Sequence, residues 1–392
     1  MTPAARVQAA IELLDDIIAA ARTKGAPADR IIADYFRARR YAGSKDRRAV
    51  RDLVYRAIRL CGPVPTSGRA AMLAVAGQDA GVAALFDGSP HGPGPRAESE
   101  EAASTGLAPK WLAALLRASS LGGREIAALL DRAPLDVRVN ALKADREALD
   151  LPEPGEPLVS AQGLRFASGT PVEQWPAYDQ GLVEIQDLGS QLIVEALPVT
   201  PGDTIIDLCA GGGGKTLAFA ARLGNAASLV AADTDKRRLG NLGPRAARAG
   251  AAVDHTVLLD PGREMQALAA WAGKADHVLV DAPCSGSGTW RRSPEGRWRL
   301  DPAELGRLNH LQDHLLGLAA RLVRPGGSIA FVTCSVLDSE GADRIAAFLD
   351  RHPGWRSEPL ALPLGRARGA GMRLDPLHDG TDGFFVACLR SP

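Results

Sequence analysis

The chain has 392 residues, more than one hydrophobic core usually organises, so two or three domains are expected. Its 46 Lys and Arg balance 46 Asp and Glu, which excludes a protein that holds nucleic acid through net charge and leaves any such contact to local clusters. No run of roughly 18 uncharged apolar residues is present, which excludes a membrane-spanning helix.

From Arg6 to about Leu60 the apolar residues recur at helical spacing. Val7, Ile11, Leu14, Ile18 and Ala21 form one stripe and Val50, Val54, Ile58 and Cys61 another, predicting an all-α domain over residues 1–92 with Cys61 in its core. The stretch SPHGPGPRAESEEAASTG, Ser89 to Gly106, mixes Pro, Gly, Ser and acid without apolar period, so a linker is expected at 93–106. PKWLAALLRASSLGGREIAALLDRAP predicts two short helices, and DVRVNAL begins a set of short strands, together a small α+β domain over 107–185. From 186 to 392 helical segments alternate with the apolar runs TIIDLCA, SLVAAD, HTVLLD, HVLVDAP and SIAFVTCS. That alternation predicts an α/β, doubly wound, mainly parallel sheet. Ligands of such sheets bind beyond the carboxyl ends of the strands, where Asp207, Cys209, Asp233, Asp260, Asp281, Cys284 and Cys334 fall. GFFVACL, Gly383 to Leu389, predicts a late strand in which Cys388 packs.

The loop DLCAGGGGKT joins the first of these strands to a helix. A phosphate-binding Walker loop would need glycine at Cys209, and a dinucleotide fingerprint would need it at Thr216; neither fits. Asp207, Gly211 and Gly213 do fit the Asp-x-x-x-Gly-x-Gly pattern of S-adenosylmethionine enzymes, in which glycines let backbone N–H groups approach a ligand closely. Asp233, at the end of the next strand, is placed to accept hydrogen bonds from a ribose.

The five cysteines, 61, 209, 284, 334 and 388, form an odd set without a C-x-x-C pair. The N-terminus has no basic-then-apolar secretion pattern, so a reduced, cytoplasmic setting is expected. Two of the five repeat a theme: DAPCSGSGTW and VTCSV each set a cysteine just after a β-branched apolar run. The motifs around these cysteines resemble those of RNA (cytosine-5)-methyltransferases, and the resemblance implies the chemistry: carbon 5 of cytosine is too weak a nucleophile to take a methyl from a sulfonium until a thiolate adds to carbon 6. A base must then remove the carbon 5 proton before the thiol leaves, so in such an enzyme two thiols are chemically sensible, with Asp281 placed to reach the N3 and amine edge. Spacing alone leaves open which sulfur attacks.

DLCAGGGGKT, DAPCSGSGTWRRSPEGRW, TCSV and DGTDGFF occur in the order and spacing of the RsmB/Sun-type RNA (cytosine-5)-methyltransferases, which the chain resembles from about residue 107 onward. The front, with SKDRRAVRDLVYRAIR, looks like the NusB-like RNA-binding domain of the bacterial small-subunit ribosomal RNA members. The resemblance implies a class I S-adenosylmethionine-dependent methyltransferase domain, with Rossmann-like sheet, behind the α+β and all-α domains. It implies Cys334 as nucleophile and Cys284 as the thiol that assists release, whereas the DNA enzymes attack with the Pro-Cys residue that matches Cys284. It also implies that Cys209, Ala210, Gly211, Gly212, Gly213, Gly214 and Lys215 line S-adenosyl-L-methionine, that Asp233 and Asp260 bind its ribose and adenine ends, and that Asp281 lies between cofactor and base, with Lys215 near the target nucleotide. The family usually has Ala-Pro at 211 and 212, so the two glycines here are a departure. The implied partner is RNA, 16S ribosomal RNA foremost, acted on by a monomer without metal or membrane; transfer RNA methylation and a non-catalytic ribosome-assembly factor are the rival readings.

Two basic segments suggest RNA contacts. TWRRSPEGRWRL interleaves Trp290 and Trp298 with four arginines, a pairing that can stack a base and hold phosphates, with a structural role for Trp298 the equal alternative. Arg37, Arg39, Arg40, Lys45, Arg47, Arg48, Arg51, Arg56 and Arg59 form the second, a phosphate footprint. His310 and His314 have zinc-ligand spacing but no third ligand near them in sequence, so a surface pair is expected.

Overall fold

The helical stripes of the first segment lie on real helices in the computed structural model, which describes residues 1–392 and places five helices within residues 1–92. Helix α1 (Pro3–Thr23) starts at Thr2, whose hydroxyl accepts the Ala5 N–H; α2 spans Ala28–Ala38, α3 Ser44–Leu60 and α4 Gly68–Ala76, the last capped by Ser67. Val7, Leu14, Ile18, Val50, Val54, Ile58 and Cys61 share one buried core, as their spacing predicts. A Cβ on Gly68 would stand 2.1 Å from the Ile11 carbonyl oxygen, so only glycine lets α4 cross α1 this closely.

The chain divides into two units, one of Met1–Asp131 with Thr289–Pro302, the other of Arg132–Gly288 with Ala303–Pro392. The cut falls after Asp131 rather than within 93–106, because the intervening residues are tied to the helices. Ser89–Gly106 is irregular, as its composition predicts, but its Gly106 N–H donates to the Leu60 carbonyl at 3.0 Å and Glu100 pairs with Arg69. Arg59 in turn donates to the Leu130 carbonyl at 2.9 Å.

The Trp-Arg segment is spent inside this helical unit and not on its surface, a correction to the expected base-stacking loop. Trp290, Arg291, Arg297 and Trp298 are all buried. The last carbonyls of α3 have no partners within the helix. The Arg297 guanidinium supplies them, donating to Ile58 at 2.5 Å and to the Cys61 carbonyl at 2.9 Å, while the Trp298 indole N–H donates to Cys61 at 3.1 Å. Much of the second basic cluster is also paired: Arg37 with Asp34, Arg51 with Asp29 and Arg56 with Asp79. Arg40, Lys45 and Arg48 stay exposed.

In the second unit, β1 (Leu135–Val139), β2 (Glu156–Pro157), β3 (Gly163–Phe166) and β4 (Val183–Ile185) form an antiparallel sheet in the order β2-β3-β1-β4. The larger sheet contains β5 (Thr204–Asp207), β6 (Ser228–Asp233), β7 (His255–Leu258), β8 (Ala275–Asp281) and β9 (Val323–Thr333), all parallel, in the order β7-β6-β5-β8-β9. It continues antiparallel through β13 (Phe384–Arg390), β12 (Gly371–Leu374) and β11 (Arg366–Arg368), with β10 (Arg356–Glu358) on β13. The apolar runs of β5, β6, β8 and β9 are buried; β7, read as a buried strand, is an edge with His255, Thr256 and Leu258 exposed. Cys388 packs inside β13. No helix is long and apolar enough to cross a membrane.

Replacing Arg297 with Met keeps the volume but takes the donor from the Ile58 carbonyl and leaves the Cys61 carbonyl with the Trp298 bond alone, so urea denaturation should register a loss of about 1–3 kcal/mol. An unchanged midpoint and slope would show that the capping bonds contribute nothing.

Candidate functional site

Strand order reverses direction between β5 and β8, opening a crevice at their carboxyl ends. Asp207 closes β5, Asp233 closes β6, Asp281 closes β8, and Cys334 follows the last residue of β9. Four of the expected site residues thus sit on one rim because four parallel strands end there.

The glycine loop runs from β5 into the helix Gly214–Arg222. Gly211 (φ +54°) and Gly213 (φ +85°) are left-handed, which glycine adopts without strain. Glycine at 211 suits its left-handed backbone; its N–H donates to Asp233 at 2.7 Å, and Arg245, held by Glu184, donates to the Gly212 carbonyl at 2.7 Å. Asp233 also accepts the Asp235 N–H at 2.7 Å, so each of its oxygens holds one backbone donor and keeps room for another. Asp260 stands exposed just beyond β7, and no hydrogen bond links its side chain to the others.

Asp207 is buried with one oxygen taken by the Thr216 hydroxyl at 2.7 Å and the other, Oδ1, without a partner. Burial pushes its carboxyl up to about 7, with Asp281 adding to the effect and the Thr216 bond opposing it. Cys209, beside the same carboxylates, is pushed well above the ordinary thiol range, first by burial and then by Asp207 and Asp281. Lys215 is buried, which works to lower its pKa, but the Asp281 carboxylate 2.6 Å from Nζ outweighs that and leaves it raised.

The two sulfurs of Cys284 and Cys334 lie 3.3 Å apart, both half-buried. The loops that carry them are stitched together: the Gly288 N–H donates to the Cys334 carbonyl at 3.0 Å, and the Gly383 N–H of the DGTDGFF segment donates to Gly288 at 2.8 Å. A Cβ on Gly288 would stand 2.0 Å from the Gly383 oxygen, which explains the second glycine of CSGSG. Cys284 is held well above the ordinary thiol range, first by its hydrogen bond to Cys334, then by burial and by the charge of Glu340. The structure thus brings together Lys215 with Asp281, Gly211 with Asp233, and Cys284 with Cys334. The reading from sequence missed Ser285, Ser335, Gln312 and Glu340, which lie behind the sulfurs; its one signal was the repeated Cys-Ser dipeptide. His314 bonds to Glu264 at 3.1 Å and His310 is exposed.

Because Asp207 holds its proton up to about pH 7 when folded but only to about pH 4 unfolded, it makes the protein lose stability as pH rises between those values. Asp207→Asn removes that slope, so the variant's melting temperature should gain on the native chain from pH 4 to 7 and hold its lead above 7. A constant difference across the range would mean that Asp207 titrates as an ordinary carboxylate.

The sequence profile of the family described as 16S rRNA methyltransferase RsmB/F matches residues 194–390. A ribosomal RNA small subunit methyltransferase B of Xanthomonas campestris pv. campestris is 37% identical over 232 residues, 59% of this chain and 52% of that protein, so the chain spans about half the length of this relative. Among solved structures, PH0851 superposes with a TM-score of 0.74 at 24% identity over 99% of both chains. A methyltransferase homologue from Pyrococcus horikoshii superposes at 0.62 and 25% identity over 73% of this chain and 96% of its own. The large sheet is accordingly a class I, Rossmann-like methyltransferase sheet, and the matched stretch contains the glycine loop, both thiols and DGTDGFF: the chain belongs to the RsmB/F family of 16S rRNA methyltransferases.

Proposed function

We propose that this chain methylates carbon 5 of a cytosine in RNA, 16S ribosomal RNA foremost, with S-adenosylmethionine as methyl donor and Cys334 as nucleophile. The observation that carries the reading is the 3.3 Å separation of two thiols at the rim where β8 and β9 end. Two sulfurs that close can serve one pyrimidine ring from the same side.

The residues fit S-adenosylmethionine. The left-handed glycines expose loop amides, the orphaned Asp207 oxygen needs a donor, and Asp233 has acceptor capacity for ribose hydroxyls. Cys209 to Lys215 would hold its amino-acid end, with Asp233 and Asp260 at the ribose and adenine. When bound it supplies an electrophilic methyl on a sulfonium, which an activated carbon 5 requires.

The chain's own part begins with Cys334, whose sulfur pair forms a bond to carbon 6 while the carbon 5–carbon 6 π pair moves to carbon 5. Either sulfur can donate in the bond between them; the reaction uses the form in which the Cys334 proton has gone to solvent and Cys284, whose pKa is held high, donates to the Cys334 thiolate. Asp281, anchored by Lys215, faces the base edge and stabilises the altered charge on N3 and the amine. Once carbon 5 carries the methyl, Cys284, which gives up its own proton to solvent after the Cys334 sulfur is bound to carbon, takes the carbon 5 proton as a thiolate; the freed pair restores the double bond, and the Cys334 sulfur leaves as a thiolate. The base must be unpaired or flipped for the sulfur to reach it from above the ring.

With labelled S-adenosylmethionine and 16S ribosomal RNA, Cys334→Ala should lower transfer more than about a thousandfold and form no protein–RNA adduct. Cys284→Ala should accumulate a covalent adduct seen as a slow band in denaturing gels. Adduct that persists in Cys334→Ala would exchange the two roles, label only on transfer RNA would change the substrate, and no label on any RNA would leave a binding factor.

A further inference from the structure

Glu340 lies six residues beyond Cys334, fully buried, and the proposed chemistry does not use it. Its carboxylate accepts four hydrogen bonds. Oε1 takes the Ser285 N–H at 2.8 Å and the Gln312 amide at 3.2 Å; Oε2 takes the Ser285 hydroxyl and the Ser335 hydroxyl at 2.7 Å. Four donors match the acceptor capacity of one carboxylate. Gln312 also donates to the Pro283 carbonyl at 2.9 Å, and the Ser287 hydroxyl, 2.9 Å from Ser335, accepts the Val336 N–H at 3.0 Å.

These bonds share a logic. Ser285 follows Cys284, and Ser335 follows Cys334. With the serines of both dipeptides bonded to one carboxylate, the two loops that carry the sulfurs are held at a fixed offset from each other. The four donors are neutral, and an apolar residue of the same volume would avoid the cost of burying this charge. A buried carboxylate satisfied by donors from both loops fixes their register, because slipping either loop leaves polar groups unpaired.

We propose that Glu340 is the positioning residue of the two-thiol site, clamping the Cys284 and Cys334 loops at the register that sets the sulfur separation. The inference rests on the reading of those cysteines as the reacting pair. Its negative charge also helps keep Cys284 in the thiol form, so position and charge make separable contributions.

The test uses the full-length chain without RNA and an azodicarboxamide oxidant, which takes two hydrogens and two electrons from the thiols as they join in a disulfide. The cross-linking rate, followed by mass spectrometry across pH, has a plateau that reads geometry and a midpoint that reads thiol ionisation. Glu340→Asp keeps the charge but shortens the reach, and should lower the plateau about tenfold or more without moving the midpoint. Glu340→Gln keeps the shape and should shift the midpoint to lower pH, with a plateau within a fewfold of native. Ser335→Ala, the mildest change, should lower the plateau severalfold and serves if either Glu340 variant fails to fold. Native plateaus in both Glu340→Asp and Ser335→Ala would overturn the clamp. If the native chain methylates no RNA while the plateaus fall as stated, the clamp stands and the proposed function is what fails.

Discussion

Parallel pairing of β8 with β9 is the constraint from which the site follows. Asp281 registers against Val332, so the two strands end at nearly the same level, and the loops that leave them start side by side. Cysteines 50 residues apart in sequence then meet at 3.3 Å. No direct attraction between the sulfurs is needed to hold them there. Backbone ladder bonds, the Gly288 bridge to Cys334 and the Glu340 bonds fix the separation, and the thiols inherit it. A site assembled in this way is pre-organised before any ligand arrives, which is where the energy of positioning is most usefully spent.

The neighbouring strands impose the second half of the geometry. β5 lies between β6 and β8, so the glycine loop emerges between Asp233 on one side and Asp281 on the other. Lys215, in the first turn of the following helix, is the natural bridge from that loop toward the thiols, and its ion pair with Asp281 joins the two halves of the crevice. Around this pair the carboxylates share a low-dielectric space. Asp207 consequently holds its proton far above the usual carboxylate range, and the thiol of Cys209 is suppressed by the same charges. Of the three cysteines on the rim, the environment silences one and pairs the other two.

How much of this was readable in the chain depends on how local the signal was. Strands β5, β6, β8 and β9 announced themselves as continuous apolar runs because they are covered on both faces, and the helical stripe of α1 marked its core residues correctly. HTVLLD carries the same apolar signature but lies at the sheet edge, since order within a sheet is a long-range property. The Arg and Trp segment left two roles open for a related reason, and the structural one holds for Trp298. Charge and aromaticity suit both an RNA surface and a helix terminus that needs donors, and only the fold tells that the Arg297 guanidinium finds the end of α3. In the site, residues with an obvious chemistry were visible from their motifs. Glu340 was not, because a carboxylate that accepts hydrogen bonds from two distant loops looks in sequence like any other acid.

The excursion of residues 289–302 into the helical unit has a consequence for biogenesis. Helices α1–α4 precede the large sheet in the chain, yet their buried core includes Trp298, and the end of α3 lacks its Arg297 cap until residue 297 has been made. Cotranslational folding of that unit therefore cannot finish when its own helices leave the ribosome. It completes only after four of the sheet's five parallel strands have been synthesised, so the helical unit waits on a segment far behind it in the chain.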